Sequence, residues 1–178
     1  MDKISLLGCG TWGSAIAQLL AEKGFAVTAW QRHKEKAAAM SRTRRHPNLS
    51  DLKFSKNIIF TVNLNDALDS GDIIVLATPS HSIKELIPMV ESGMKDQCII
   101  VNLAKGIDLD SLSTMSQVIQ AETSIGIDQI VSLYGPSHAE EVVRKLPTTL
   151  VAACPKKTTS KIIQELLSTD VLRVYRNK

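Results

Sequence analysis

Glycine is the first residue type in this chain whose spacing could do chemistry. Gly8, Gly10 and Gly13 stand at G-x-G-x-x-G spacing inside ISLLGCGTWGSAIAQLL, residues 4–20. In such a turn Gly8 permits the sharp bend, Gly10 lets the backbone approach a pyrophosphate, and Gly13 lets the next helix lie close on the preceding strand. The free N–H groups and positive dipole end of that helix then face phosphate. Alone the motif is a weak signal, because a tight strand–helix turn can carry it without a ligand. Here an apolar run precedes it and a helix-like run follows, which is the context a dinucleotide cradle requires.

The next candidates are cationic and hydroxyl groups that follow apolar runs. An NAD-preferring site places Asp or Glu at the end of the second strand, for the ribose 2′-OH. This chain reads TAWQRHKEK, so Gln31, Arg32 and His33 follow Trp30 and no acid is placed to repel a 2′-phosphate. Arg32 can hold that phosphate, stack on adenine, or be a solvated loop residue. NADPH is therefore expected to be accepted, and NADH stays open. Lys105 supplies a positive charge suited to a phosphorylated ligand, or is a surface loop lysine. Ser137 offers a hydroxyl suited to an oxygen-rich ligand, or is a helix N-cap. The cluster SRTRRHPN, residues 41–48, reads as a solvated loop or as an anion-attracting rim.

Other chemistry is weakly supported. The three cysteines, Cys9, Cys98 and Cys154, are far apart, with no C-x-x-C and no metal spacing. Cys98 and Cys154 read as core thiols and Cys9 as a small residue inside the glycine turn, in a reduced compartment. His46 and His81 have no evident catalytic partner. A net charge of +3 is too weak to argue for nucleic acid. No apolar run approaches the ~20 residues of a membrane span, and no leader pattern opens the chain, so a cytoplasmic location is expected.

These residues need elements to position them. Short apolar strands alternate with amphipathic helices along residues 1–178, with no repeat and no linker. The pattern predicts strands over 3–8, 25–30, 57–62, 72–80, 98–106, 129–137, 148–153 and 171–176. It predicts helices over 12–23, 33–40, 64–70, 83–86, 112–122, 138–146 and 157–168, with Gly24 and Gly71 ending two of them and Asn63 capping a third. Residues 41–57 read as a polar connector. Near-continuous apolar strands separated by helices imply a parallel sheet covered on both faces. The fold expected is α/β: one doubly wound, mainly parallel, Rossmann-like domain spanning 1–178 and binding NAD or NADP.

Several stretches together resemble the N-terminal domain of bacterial NAD(P)-dependent sn-glycerol-3-phosphate dehydrogenase. They are GCGTWGSAIA, W-Q-R, ATPSHSIKEL, VNLAKGID, YGPSHAEEV with LPTTLVAA, and LRVYRN, in the family's order. The resemblance implies cofactor contacts at Gly8, Gly10, Thr11, Trp12, Gly13, Arg32, Lys105 and Ala139. It implies substrate contacts at Lys105, Gly135 and Ser137, and a loop near the nicotinamide at Thr78 to Ser80. Cys9 and His138 depart from the residues usual there, and His138 is expected to pack or face solvent.

The family continues past VYRN into an all-helical domain. By the resemblance, its general acid–base lysine lies beyond Lys178, and so do the residues that grip substrate phosphate. No catalytic residue is therefore assigned within 1–178, and little turnover is expected from the chain alone. The implied reaction interconverts dihydroxyacetone phosphate and sn-glycerol 3-phosphate for glycerophospholipid synthesis, in an enzyme that forms a homodimer through its helical half. Without that half an exposed apolar face is expected. Two alternatives stay open: another two-domain NAD(P)-dependent hydroxy-acid dehydrogenase, and a non-enzymatic nucleotide-sensing module.

Overall fold

The computed structural model describes residues 3–69 and 71–178. The strands form where Ile, Val and Leu run together. Those of the main sheet are β1 (Lys3–Leu7), β2 (Ala26–Trp30), β5 (Ile58–Thr61), β6 (Ile73–Leu76), β7 (Ile99–Asn102), β8 (Ile130–Tyr134), β9 (Thr148–Ala153) and β10 (Leu172–Asn177). They make one eight-stranded sheet in the order β10-β9-β8-β7-β6-β1-β2-β5. β1 pairs in parallel with β2 on one side and β6 on the other, through Leu7↔Trp30 and Leu7↔Leu76. The chain thus winds outward from β1 through β2 to β5, then returns to wind the other way from β6. That reversal is where open α/β sheets leave a crevice beyond their strand ends.

Helices cover both faces: α1 (Thr11–Glu22), α2 (Lys34–Thr43), α3 (Leu64–Leu68), α4 (Ile83–Gly93), α5 (Met115–Glu122), α6 (Ala139–Val143) and α7 (Lys157–Leu167). Because strand side chains alternate, neighbours enter different cores. Ile4, Leu6, Ile73 and Val75 belong to one buried cluster, and Leu7, Ile74 and Leu76 to the other. The expected doubly wound, mainly parallel architecture is what forms.

Four particulars differ from the sequence expectation. Residues 41–57 are not a bare connector: α2 runs on to Thr43, and β3 (Arg45–His46) and β4 (Leu49–Lys53) form an antiparallel hairpin. Its Leu49, Leu52 and following Phe54 are buried in the core. The apolar residues at 49, 52 and 54 carry that burial through an otherwise polar stretch. α4 continues to Gly93 despite Pro88, because Ile87 and Val90 bury the same face as Ile83 and Leu86. α3 closes on Asp69 rather than Gly71, with Asn63 Oδ1 accepting the Asn65 amide as expected; Ser70, within the expected helix, lies outside the described residues. Finally, β9 runs antiparallel to β8. α6 has five residues, about 7.5 Å of helix, too short to carry the chain back along a strand. It therefore stays at the carboxyl end of β8, beside the crevice.

Candidate functional site

The crevice at the strand-order reversal encloses about 910 Å³, a volume suited to a nucleotide-sized ligand. The ends of β1, β2, β6, β7 and β8 each contribute a wall. Gly8, Gly10, Thr11, Trp12, Gly13, Arg32, Lys105, Ser137 and Ala139 all line it, as do Thr78 and Ser80. Gly135, expected to touch substrate, does not line it. A Cβ there would stand 2.3 Å from the Thr149 carbonyl oxygen, so close approach to β9 accounts for this glycine.

The glycine turn divides its work among three residues. Gly8 has φ +108°, and a Cβ there would lie 2.7 Å from the Ala77 carbonyl oxygen. A Cβ on Gly13 would lie 2.1 Å from the Gly8 oxygen, so that glycine lets α1 seat on the turn. A Cβ on Gly10 would meet no protein atom within 4 Å, and Gly10 is exposed at the crevice. The protein itself gives no reason for glycine at this position; room for a ligand does. Nor does any side chain cap α1, and its first turn carries no acid. The first helical hydrogen bond runs from the Ser14 amide to the Gly10 oxygen, 2.9 Å. The amides of Gly10, Thr11 and Trp12 precede it, as does that of Gly13, and none finds an acceptor among the described residues. Convergent N–H groups at a positive dipole end, behind a space that a side chain would fill, fit a pyrophosphate. The Trp12 Nε1 and Thr78 Oγ1 atoms are also buried without partners.

The adenosine end is formed after β2. Gln31 stands where a ribose-binding acid would sit, but its Oε1 accepts the His33 amide at 3.1 Å and shapes the turn. Arg32 and His33 are exposed on the crevice wall. The basic cluster is largely spent elsewhere. Arg44 donates to the carbonyls of Ser55 and Ile58 and stacks on Phe60, while Arg45 donates to the Ser50 carbonyl. Two of its arginines are thus hairpin braces.

The opposite wall is built from side chains. Lys105 Nζ sits 5.6 Å from the Trp12 ring centroid and 3.4 Å from the Ser137 carbonyl, to which it donates. Its turn is held by a closed loop of hydrogen bonds. The Ala104 amide donates to Asn102 Oδ1 at 3.1 Å, Asn102 Nδ2 donates to Tyr134 Oη at 2.5 Å, and Tyr134 donates to the Ala104 carbonyl at 3.0 Å. Asn102 is fully buried, and burial pushes the Tyr134 hydroxyl pKa up, so it stays protonated. Both polar groups of Ala104 are therefore clamped immediately before Lys105. Ser137 is not the N-cap; His138 occupies that position, its amide bonded to the Glu141 carboxylate at 3.3 Å, and the Ser137 hydroxyl donates to the Gly135 carbonyl.

The residues missed in the sequence are those that support rather than touch. Asn102 and Tyr134 lie in stretches that carry the resemblance, which assigns them no role, and only the fold brings them within reach of each other; Gln31 acts locally, on the His33 amide. His33, His81 and His138 line the crevice as well. Burial pushes the Cys9 thiol up to about 12; it is a neutral packing group donating to the Trp30 carbonyl. All three cysteines are free and buried, and no metal-binding group occurs among the described residues.

A doubly wound sheet whose first turn offers uncapped amides at the strand-order reversal defines a Rossmann-like dinucleotide-binding fold. Comparison makes this more specific. Residues 3–160 match the family model described as NAD-dependent glycerol-3-phosphate dehydrogenase N-terminus, and the chain belongs to that family. It is 38% identical over 181 residues to glycerol-3-phosphate dehydrogenase [NAD(P)+] 2 of Lactobacillus delbrueckii subsp. bulgaricus, covering 99% of this chain and 54% of that relative. It is 40% identical over 179 residues to glycerol-3-phosphate dehydrogenase [NAD(P)+] of Clostridium botulinum, covering 100% of this chain and 53% of that one. A crystal structure of glycerol-3-phosphate dehydrogenase from Coxiella burnetii superposes with a TM-score of 0.90 at 27% identity, over 99% of this chain and 54% of that one. The chain spans about half the length of these relatives.

Proposed function

We propose that residues 1–178 bind NAD(P)H and supply one wall of the substrate site of a glycerol-3-phosphate dehydrogenase. The whole enzyme would interconvert dihydroxyacetone phosphate and sn-glycerol 3-phosphate. The observation that carries the reading is the Gly10 turn: amides without acceptors at the uncapped start of α1, beside open space in which a Cβ on Gly10 would meet no protein atom within 4 Å.

The residues divide the work. Gly10, Thr11 and Trp12 donate backbone N–H groups to the pyrophosphate, and Gly8 and Gly13 give the turn its shape. Arg32 reaches a 2′-phosphate with its planar fork of donors, favouring NADPH. When bound, the nicotinamide supplies the hydride for C2 of the substrate. Lys105 holds anionic oxygens where the two ligands meet, and Ser137 and Ala139 line the same wall. By the family resemblance, proton transfer to the C2 oxygen would fall to a lysine of the helical half beyond Lys178, a contribution of ~10²–10⁴ in rate.

We place the enzyme at the entry to glycerophospholipid synthesis, in the cytoplasm, acting on a small phosphorylated substrate as a homodimer. No helix of the described residues is long and apolar enough to cross a membrane. Ile107, Leu109 and Leu112, just after Lys105, are exposed, and we assign them to the face against which the helical half would pack.

Titrating NADPH into the chain and following tryptophan fluorescence tests binding, since both Trp12 and Trp30 line the crevice. Saturable quenching that ADP-ribose competes away is expected. Loss of NADPH absorbance with dihydroxyacetone phosphate then tests the division of labour. Slow or no turnover is expected from this chain alone, and turnover at ordinary enzyme rates would show that it needs no external lysine.

A further inference from the structure

We propose that His46 is a positioning residue for the dinucleotide: it holds the Cys9 carbonyl so that the Gly10 amide faces the crevice. The inference rests on the pyrophosphate reading of the glycine turn. His46 lies in the β3–β4 hairpin, outside the residues that line the crevice, and is 6% exposed. Its Nε2 lies 3.3 Å from the Cys9 oxygen, and its Nδ1 lies 3.1 Å from the Asn48 amide. A backbone N–H can only donate, so Nδ1 is the acceptor and the proton sits on Nε2, donating to Cys9. Both ring nitrogens are thereby committed in the neutral tautomer.

Peptide geometry carries this bond to the ligand side. In a trans peptide the C=O and the following N–H point in opposite directions. Gly10 has no Cβ to bias its own orientation, and its amide has no acceptor among the described residues. Holding the Cys9 oxygen against the hairpin therefore turns the Gly10 N–H outward, preorganised before a phosphate arrives. The hairpin is a firm anchor. Leu49, Leu52 and Phe54 share the buried core with Cys9, and Arg44 ties its base to Ser55 and Ile58.

The charges around the ring favour the neutral form. Burial lowers the His46 pKa, the Cys9 carbonyl raises it, and Lys36 of α2 lowers it again. The Cys9 thiol stays protonated. Arg45 next door is turned to the Ser50 carbonyl, and Asp51 on β4 pairs at 2.7 Å with Arg144, the residue that closes α6. A second proton would place Nδ1–H against the Asn48 N–H, donor against donor. Acid therefore loosens the hairpin's hold on the turn.

Calorimetric titration of ADP-ribose, whose pyrophosphate does not titrate in this range, provides the test on the wild-type chain, His46→Ala and His46→Gln. Gln reproduces the Nε2 donor and cannot take a proton. At about pH 7.5, His46→Ala should weaken binding about tenfold and His46→Gln should retain most of it. Between about pH 7.5 and pH 5.5, wild-type affinity should fall several-fold while that of His46→Gln stays level. Wild-type affinity for His46→Ala, or an acid decline that persists in His46→Gln, would overturn the role of His46. Should His46→Ala fail to fold, the comparison of wild type with His46→Gln decides alone. No ADP-ribose binding by wild type at any pH would overturn the glycine-turn reading itself.

Discussion

The two walls of the crevice are built by different means. The turn after β1 offers backbone amides, and its side chains matter mainly by their absence at Gly8, Gly10 and Gly13. The wall formed by the turns after β7 and β8 offers side chains: Lys105, whose turn is held by Asn102 and Tyr134, and Ser137. A backbone-built site is fixed by local conformation, so its residues sit within one short stretch. A side-chain-built site is fixed by the sheet, so its residues come from strands far apart in the chain. The first tolerates no added atom at Gly8 or Gly13; the second tolerates substitution in proportion to how many hydrogen bonds are lost.

That contrast can be broken in order of expected effect. Gly13→Ala forces a Cβ to 2.1 Å from the Gly8 oxygen, which should cost about 3 kcal/mol or more, read as a large drop in the chemical denaturation midpoint. A stable Gly13→Ala chain would show that the turn yields. Tyr134→Phe leaves the Ala104 carbonyl and Asn102 Nδ2 without their partner. A loss of about 1–3 kcal/mol in stability is expected, with NADPH affinity falling less than for changes in the glycine turn; equal losses in affinity would erase the distinction between the walls. Arg32→Glu, at an exposed position, should leave stability unchanged and weaken NADPH about tenfold more than NADH. Equal weakening of both would remove Arg32 from the 2′-phosphate. The smallest effect is of pH on the fold. The His46 pKa is lowered in the folded chain, so the unfolded chain takes the proton first as pH falls below about 6.5. The His46 contribution is therefore present near neutrality and lost on acidification below that value. His46→Gln should flatten this part of the melting-temperature profile.

The same contrast decides what the sequence made legible. The Gly8–Gly10–Gly13 spacing, the strand before it and the helix after it are local, and they read correctly. So did the alternating strands and helices, because the Ile- and Val-rich runs of β6 and β7 have few other uses. Lys105 and Ser137 are assigned ligand roles only through the family resemblance, since a lone lysine or serine after a strand has no local signature. Asn102 and Tyr134 escaped, being separated by 32 residues and joined only by β7–β8 pairing. The hairpin at residues 45–53 escaped for another reason. Its two leucines are set in a polar stretch that follows Arg42 and Arg44, and only the fold shows that Arg44 and Arg45 satisfy carbonyls rather than greet an anion. Gly135 reads by resemblance as a ligand contact, whereas its packing against Thr149 already accounts for it.

The central claim is that Gly10 is glycine for the sake of a ligand. Gly10→Ala tests it most directly, because the new methyl meets no protein atom within 4 Å and the backbone, with φ −69°, suits any residue. Measured side by side, unfolding free energy should move by less than about 1 kcal/mol, while NADPH affinity falls at least about tenfold. A Gly10→Ala chain that folds as well as wild type and binds NADPH as tightly would contradict the account.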